Sequence, residues 1–511
     1  MTYFPSDAEM EKTSKSKDVS YYIFGNRFYS DQTMYEYLVE FLNIFNSPKQ
    51  GIDDYECMHF HSVSDYVGPG VKGTLSYQPD PRMGLRRFIF FDNSKRTKVA
   101  KIDGEAYQAE IKAVEAHFVD TRHDVAPEIV ESMQDLLHGF AIIVKNRSWC
   151  AQSTLPICKE LVLCEAMPKT KIRSELTTLN DPRVDTEFDF DKRNFLSRGG
   201  ELYYLHLLEA LKDQPDKQAL LEEQLGYIMT RSCEDIGIVA DNIQKIWDQR
   251  QGYDINPLRR SSLYLGWYPE GRYGSDGRLS VDELTMYLSN NMDAIKRIDI
   301  LAKGVMLQVM RMMQTAVTNY LGTTREPWIM DMKGDTTGTV RKLAVASYNR
   351  LENQFLTALN RAAVTLLEET GESKSPENIV KVVSKGRKNS LMVFRSKGKE
   401  IGCIIPAQGP YGRFSMSEDV AIFLVLSLLA PGQKMTLTAF LEELYKHYHI
   451  VIGAEQYEKY VEATNTHTKS LVNSFVQNQQ AFQDFLKEIG LLRELSDATS
   501  IVVNPYVAMK Y

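Results

Sequence analysis

Residues 337–369 read TGTVRKLAVASYNRLENQFLTALNRAAVTLLEE and set Val340, Leu343, Leu351, Phe355, Ala358, Leu359, Ala362 and Leu366 on one stripe. Spacings of three, four and seven sustained over this length are the 3.6-residue period of an amphipathic helix and exclude a strand. The same period extends upstream. Leu202, Leu205, Leu208 and Leu211, then Leu220, Leu225, Ile228 and Met229, then Ile236, Val239, Ile243, Ile246 and Trp247 predict three consecutive helices. The Gly-rich aromatic loop Gly266-Trp267-Tyr268-Pro269-Glu270-Gly271-Arg272-Tyr273-Gly274 interrupts them before helical spacing resumes over Val281–Leu288 and Ile295–Leu321. Residues 200–371 are therefore expected to form an all-α middle domain.

On the N-terminal side the pattern is mixed. Tyr21–Phe28 (YYIFGNRF) is aromatic and β-prone, a helical pattern follows from Asp31 to Phe45, and Phe88–Phe91 is a fully apolar strand candidate. Glu105–Phe118 has helical spacing, whereas Phe140–Val144 and Leu161–Leu163 resemble buried strands. Residues 20–175 accordingly read as a mixed α/β domain, followed by a polar linker from Arg173 to Arg198. Beyond the helical middle, Lys and Gly dominate 372–409, with strand-like Leu391–Phe394 and Ile401–Ile405, which predicts a basic hairpin or loop. The last segment, 410–511, runs helix Glu418–Leu429, helix Thr436–Tyr448, strand Ile450–Gly453, helices Glu455–Glu462 and Thr468–Ile489, and two short strands, Leu491–Leu495 and Ser500–Val503. The fold class expected is multi-domain α+β, ending in a winged-helix-like domain.

At ~100–200 residues per domain the 511-residue length predicts three to four folding units. Hydrophobic residues make up 43% and charged residues 25%, which excludes collagen-like, disordered and low-complexity classes. The start, Met1–Ser20, has no apolar core of a signal peptide, and the longest apolar run, Val420–Ala430, is far shorter than the ~20 residues of a membrane span. Six cysteines without tight pairing fit a reducing compartment. A cytoplasmic protein without membrane contact is expected.

No constellation carries strong catalytic spacing. Cys57, His59 and His61 alternate as metal ligands on a strand would, but no fourth ligand is nearby, so no metal and no cofactor is expected. A metal-dependent nuclease needs an Asp followed by Glu-x-Lys on a neighbouring strand, so that carboxylates hold Mg²⁺ and Lys orients water. Asp80 with Glu110 and Lys112, or Asp331 with Lys333, fit this loosely. Asp276–Leu284 resembles half of a calcium loop, yet Arg272 and Gly274 occupy ligand positions, so Ser280 and Glu283 are read as a helix capping box. Gly334-Asp335-Thr336-Thr337-Gly338 lacks the Lys of a nucleotide-binding loop, and no Ser sits in a Gly-x-Ser-x-Gly elbow.

Charge is more informative. With 60 Lys+Arg against 67 Asp+Glu the chain has a net charge of −7, so nucleic-acid binding needs a local patch. Lys381, Lys385, Arg387, Lys388, Arg395, Lys397 and Lys399 supply one, because no acidic residue lies among them. They are the candidate nucleic-acid-binding residues. Residues 411–511 carry a net −3, which favours protein docking over duplex binding, although Asn473, Gln477, Asn478, Gln479 and Gln480 of the last helix are able to read adenine edges.

The tail, Glu418–Val503, resembles the winged-helix modules that end many prokaryotic multi-subunit DNA-processing proteins. The opening Phe24-Gly25-Asn26-Arg27-Phe28-Tyr29 with Gln32-Thr33-Met34-Tyr35-Glu36-Tyr37-Leu38 is similar to accessory subunits of bacterial phage-defence clusters, among them phosphorothioation-dependent restriction systems. These resemblances imply a non-catalytic accessory or scaffold component of a DNA-targeting complex. Its partners would be protein subunits, including an ATPase or nuclease, and DNA. The alternatives are the metal-dependent nuclease and a winged-helix DNA-binding regulator.

Overall fold

The long period that opens the sequence reading forms one helix, Thr339–Thr370, and its stripe is buried along its length from Val340 to Leu367. The computed structural model describes residues 3–5, 18–26, 28, 32–50, 56–57, 59–60, 76–77, 82–89, 101–118, 125–138, 141–142, 153–154, 158–162, 167–168, 175, 177–181, 183, 188–189, 199–251, 263–335, 338–463, 472–496 and 499–511. It is a mostly helical chain with small sheets. Two compact units divide it. One comprises Met1–Met34, Leu205–Gln224 and Gly266–Tyr511, the other Tyr35–Tyr204 and Leu225–Leu265. The segments expected at 372–409 and 410–511 lie together in the first unit, with 266–371 of the helical middle.

From Gly266 onward the helices of the first unit are α1 (Asp276–Leu288), α2 (Ala294–Leu321), α3 (Thr339–Thr370), α4 (Pro376–Lys388), α5 (Leu391–Glu400), α6 (Glu418–Leu428), α7 (Leu437–Tyr448), α8 (Ala454–Ala463) and α9 (Val472–Glu488). Besides the antiparallel pair Tyr3–Phe4 and Tyr268–Pro269, its strands are β1 (Trp328–Ile329), β2 (Ile404–Ile405), β3 (Arg413–Phe414), β4 (Lys434–Thr436), β5 (Ile450–Val451), β6 (Leu492–Ser496) and β7 (Thr499–Val503). Between Arg297 and Thr318 only Asp299 and Lys303 of α2 escape burial, as expected of a helix that is apolar almost all round. The Asp293 carboxylate caps its start, accepting from the backbone N–H groups of Ile295 and Lys296 at 3.0 Å, and Gly322 ends it at φ 70°.

Local chemistry sets the other boundaries in the same way. Ser375 caps α4 ahead of Pro376, Ser417 caps α6 and Thr436 caps α7. The tail builds an antiparallel sheet in the order β4-β7-β6, with Lys434 opposite Val503 and Leu492 opposite Val502. Parallel pairing of Trp328 with Ile450 and Ile329 with Val451 joins β1 to β5. Asn478 of α9, 1% exposed, secures this pairing: its Nδ2 donates to Met330 O at 2.9 Å and Ile452 O at 3.0 Å, and its Oδ1 accepts from Met332 N at 2.8 Å.

The second unit contains the helices Met34–Asn46, Met83–Ile89, Lys101–His117, Ala126–His138 and Glu234–Gln251. Its four-stranded antiparallel sheet runs Glu56–Cys57, Lys49–Gln50, Ser76–Tyr77, Leu263–Tyr264. Fully buried Trp247 packs on Gly84, where an added Cβ would lie 2.5 Å from the Trp247 Cβ.

Several short apolar runs differ from expectation. Ser20–Phe24 is a helix stopped by Gly25 at φ 79°, Met83–Ile89 is helical, and Lys159–Leu161 is a single 3₁₀ turn. The expected basic hairpin or loop is chiefly two helices, α4 and α5, with only Ile404–Ile405 and Arg413–Phe414 as a hairpin. Leu391–Phe394 belongs to a helix because Leu391, Val393 and Phe394 are buried together, so the run carries no strand alternation. Phe90, Phe91, His61, Asp80, Cys150, Cys164 and Lys469 lie outside the described residues.

Helix α2 meets α6 at Gly304, where a Cβ would stand 2.1 Å from the fully buried Phe423 ring. Gly304→Val adds three carbons at this contact and is expected to lower stability by at least ~2 kcal/mol through overpacking. Denaturant unfolding checks this, with an unchanged midpoint as the contrary result.

Candidate functional site

The seven cations of 381–399 fall into two groups. Lys381, Lys385 and Lys388 occupy i, i+4 and i+7 of α4 and share one exposed face, with Arg387 exposed beside them. The opposite side of α4, formed by Ile379, Val382, Val383 and Gly386, turns inward; a Cβ on Gly386 would lie 2.0 Å from Val19 and 3.0 Å from Leu359. Packing against these residues fixes which way the lysines point. Three cations in the last turn of α4 also suit the negative end of its dipole.

The remaining three, on α5, are engaged within the chain. Arg395 donates from Nε to Glu352 Oε1 at 2.9 Å and to the Tyr348 hydroxyl at 3.3 Å. Lys397, 5% exposed, bonds Glu400 Oε2 at 2.7 Å, and Lys399 donates to Gly409 O at 2.7 Å. The exposed nucleic-acid candidates are therefore the α4 cations Lys381, Lys385, Arg387 and Lys388, of which Lys385 also has a partner within the chain.

Of the adenine-reading candidates on α9, Asn478 is buried, Gln477 accepts from Lys333 Nζ at 2.8 Å, and Gln480 donates to Asp484 at 3.0 Å. Asn473 is exposed and Gln479 half-buried. The exposed remainder of α9 includes Asp484 and Glu488, which repel phosphate.

The nuclease candidates have other roles in the structure. Glu110 and Lys112 lie on the helix Lys101–His117, where residues two apart point to different sides, and Glu110 is buried whereas Lys112 is exposed. Asp331 accepts from Arg413 Nε at 2.8 Å and from Gly334 N at 3.1 Å. His59, one of the three alternating metal-capable residues, stacks on Phe45 at 4.3 Å and its Nδ1 lies 3.1 Å from Phe45 O. No group of metal-capable side chains occurs among the described residues.

Ser280 and Glu283 are not a capping box. Helix α1 begins at Asp276, so both are interior, and both are fully buried. Glu283 is the centre of an ionic network. Its Oε1 accepts from Arg311 Nη1 at 2.6 Å and lies 2.7 Å from His447 Nδ1, while its Oε2 accepts from Gln308 Nε2 at 2.8 Å and from the Tyr448 hydroxyl. Arg311 also donates to Ser280 Oγ at 2.8 Å and lies with its guanidinium carbon 4.4 Å from the Tyr448 ring centroid. Burial pushes the Glu283 carboxyl up, but the Arg311 charge and the His447 hydrogen bond outweigh it and hold the group at about 2. Burial drives His206, which meets Ser280 Oγ at 2.9 Å, down to about 3, and His449 down to about 4. The sequence carries a signal for this network: Arg311 is the lone charge in the apolar run Val305–Met313, and such a charge needs a buried partner.

Among comparisons with known proteins, no family model, no curated protein and no solved structure matches the chain.

Glu283→Gln removes the carboxylate hydrogen-bonded to buried Arg311, leaving it only Asp276 at 3.9 Å, and is expected to cost ~3–5 kcal/mol at neutral pH. The folded-state acidity of Glu283 lies below its ordinary 4.5, so its contribution is complete above that pH and fades as pH falls towards 2. The deficit of the variant against the wild type should shrink over this interval in urea unfolding. A constant deficit would contradict the assignment.

Proposed function

We propose that the chain is a non-catalytic accessory or scaffold subunit of a prokaryotic DNA-targeting complex, contacting nucleic acid through α4 and protein partners through its acidic tail. The observation that carries the reading is the α4 face: Lys381, Lys385, Lys388 and Arg387 are exposed on one rigid helix of a chain with net charge −7. Cations at this spacing suit a run of phosphates, and they add little to folding as exposed charges. The tail runs α6, β4, α7, β5, α8, α9 and the β6–β7 hairpin; α6, β4, α7, α9 and the hairpin, with β4 beside β7, support a winged-helix-like module into which β5 and α8 are inserted. Its last helix exposes Asp484 and Glu488, which suits a basic protein partner better than a duplex. That partner, an ATPase or nuclease, follows from the resemblance to defence-cluster subunits. The buried networks at Glu283 and Asp331 use their carboxylates internally, which supports a non-catalytic role over the nuclease reading.

The test is duplex DNA binding by the full chain across a salt series. Replacing Lys381, Lys385, Arg387 and Lys388 together by Gln should weaken binding at low salt and reduce the slope of log K against log salt by roughly 3–4, at ~0.9 per lost phosphate contact. An unchanged slope, or absence of salt-dependent binding in the wild type, overturns the reading of α4.

A further inference from the structure

The second unit holds a cleft built from the end of the helix Met34–Asn46, the turn Lys159–Leu161 and the start of the helix Glu234–Gln251. It has two chambers that share Lys159. The larger, about 470 Å³, is lined by Lys159, Glu160, Arg231, Glu234, Ile238 and Asp241 among others. The smaller, about 120 Å³, is lined by Lys159, Arg82, Asn43 and Asn46 with their neighbours and by no carboxylate. Arg82 of the small chamber meets Asp241 of the large one at 3.1 Å, so the two spaces adjoin. The larger alone falls within the ~300–1,000 Å³ of small-molecule sites.

Where the chambers meet, two opposite charges face each other without a hydrogen bond. Lys159 Nζ lies 3.9 Å from Glu160 Oε1, about 1 Å beyond the reach of a charge-assisted hydrogen bond, and makes no other bond among the described residues. Glu160 is 7% exposed, and Gly237 leaves it room, since a Cβ there would stand 3.0 Å from Glu160 Oε2. Its hydrogen-bonding neighbour among the described residues is Cys158. Burial and the Glu160 charge push that thiol up to about 12, so the sulfur stays a neutral, weak donor. The other cations of the cleft are engaged: Arg231 with Glu234 at 3.4 Å, and Arg82 with Asp241. A buried carboxylate needs its countercharge at hydrogen-bond distance, and Glu160 faces a cavity instead.

A ligand that answers both charges carries a cation and an anion close together. An α-amino acid does, because its ammonium nitrogen and carboxylate carbon are bonded to one carbon and lie on the order of 2.5 Å apart. Such a zwitterion spans the gap between Glu160 and Lys159 with its charges in the opposite order. The sum over the lining agrees: Lys159, Arg82 and Arg231 balance Glu160, Glu234 and Asp241, which favours no net charge in the ligand. The ligand's carboxylate falls to the small chamber, where cations and amides stand without an acid, and its side chain to the larger, mostly polar one.

We propose that this cleft binds a free α-amino acid with a polar side chain, its carboxylate on Lys159 and its ammonium on Glu160. The site shares no residue with α4, so it stands whether or not α4 touches nucleic acid.

Isothermal titration calorimetry of the full chain with L-glutamine, L-glutamate and L-arginine tests it. At least one should bind, and its N-acetyl derivative, which lacks the ammonium, should bind roughly tenfold more weakly or worse, the worth of one hydrogen bond to a charged group. Lys159→Met should weaken the same amino acid by a similar factor and leave the urea midpoint unchanged, because an exposed lysine in so long an ion pair adds little to folding. Glu160→Gln, which keeps the shape of the side chain, should reproduce the loss seen with the N-acetyl derivative. Should that variant fail to fold, Lys159→Met decides. No binding of any of the three amino acids, equal binding of the N-acetyl form, or unchanged affinity in either folded variant overturns the proposal.

Discussion

Glu283 and Arg311 have no solvent exposure, and the packing of the first unit is built around the bond between them. Glu283 belongs to α1, Arg311 and Gln308 to α2, and His447 and Tyr448 to α7, so one carboxylate gathers donors from three helices. Apolar contacts tolerate sliding of one helix along another, whereas bonds from several directions to two oxygen atoms do not. The pair thus specifies alignment more than it adds net stability, since the cost of desolvating two charges roughly cancels their attraction. Arg311 tightens the constraint by also donating to the backbone carbonyl of His447 at 3.2 Å. The end of α7 is held beside α2 by main chain as well as side chain.

This constraint explains why the tail shares a unit with the long central helices despite its self-contained pattern of helices and strands. Three further links point the same way: β1 pairs with β5, Asn478 bridges Met330 and Ile452, and Trp328 stacks on Phe414 at 5.3 Å while donating to Gln314 at 2.7 Å. If the tail docks a partner, that partner binds a rigid part of a larger body and not a tethered module.

The long helices were legible in the sequence because their period repeats over several turns, as in Thr339–Thr370 and Ala294–Leu321. Runs of about four apolar residues were not, since helix and strand differ by period and four residues hardly sample one. Leu391–Phe394 and Tyr21–Phe24 are helical for reasons found elsewhere in the fold, where Leu391, Val393 and Phe394, and Ile23 and Phe24, are buried against other elements. Ser280 and Glu283 show a different ambiguity. A spacing of three joins the two ends of a capping box and also two neighbours on the buried side of a helix, and only the true helix start at Asp276 separates them. Of the candidate site, the positive stretch was visible as composition. Which cations are exposed depended on acceptors far away in sequence: Glu352 for Arg395 and Gly409 for Lys399.

The two buried arginines of the first unit make the same point in opposite directions. Arg311 meets Glu283 and lies 3.9 Å from Asp276, and its charged form is favoured despite burial. Arg272 has an aromatic neighbour where Arg311 has carboxylates, and burial lowers its proton affinity by more than Tyr273, Tyr320 and Tyr3 raise it. The two differ in what the fold supplies as countercharge. Internal carboxylates supply the countercharge of Arg311, although its Nε is itself buried without a hydrogen-bond partner.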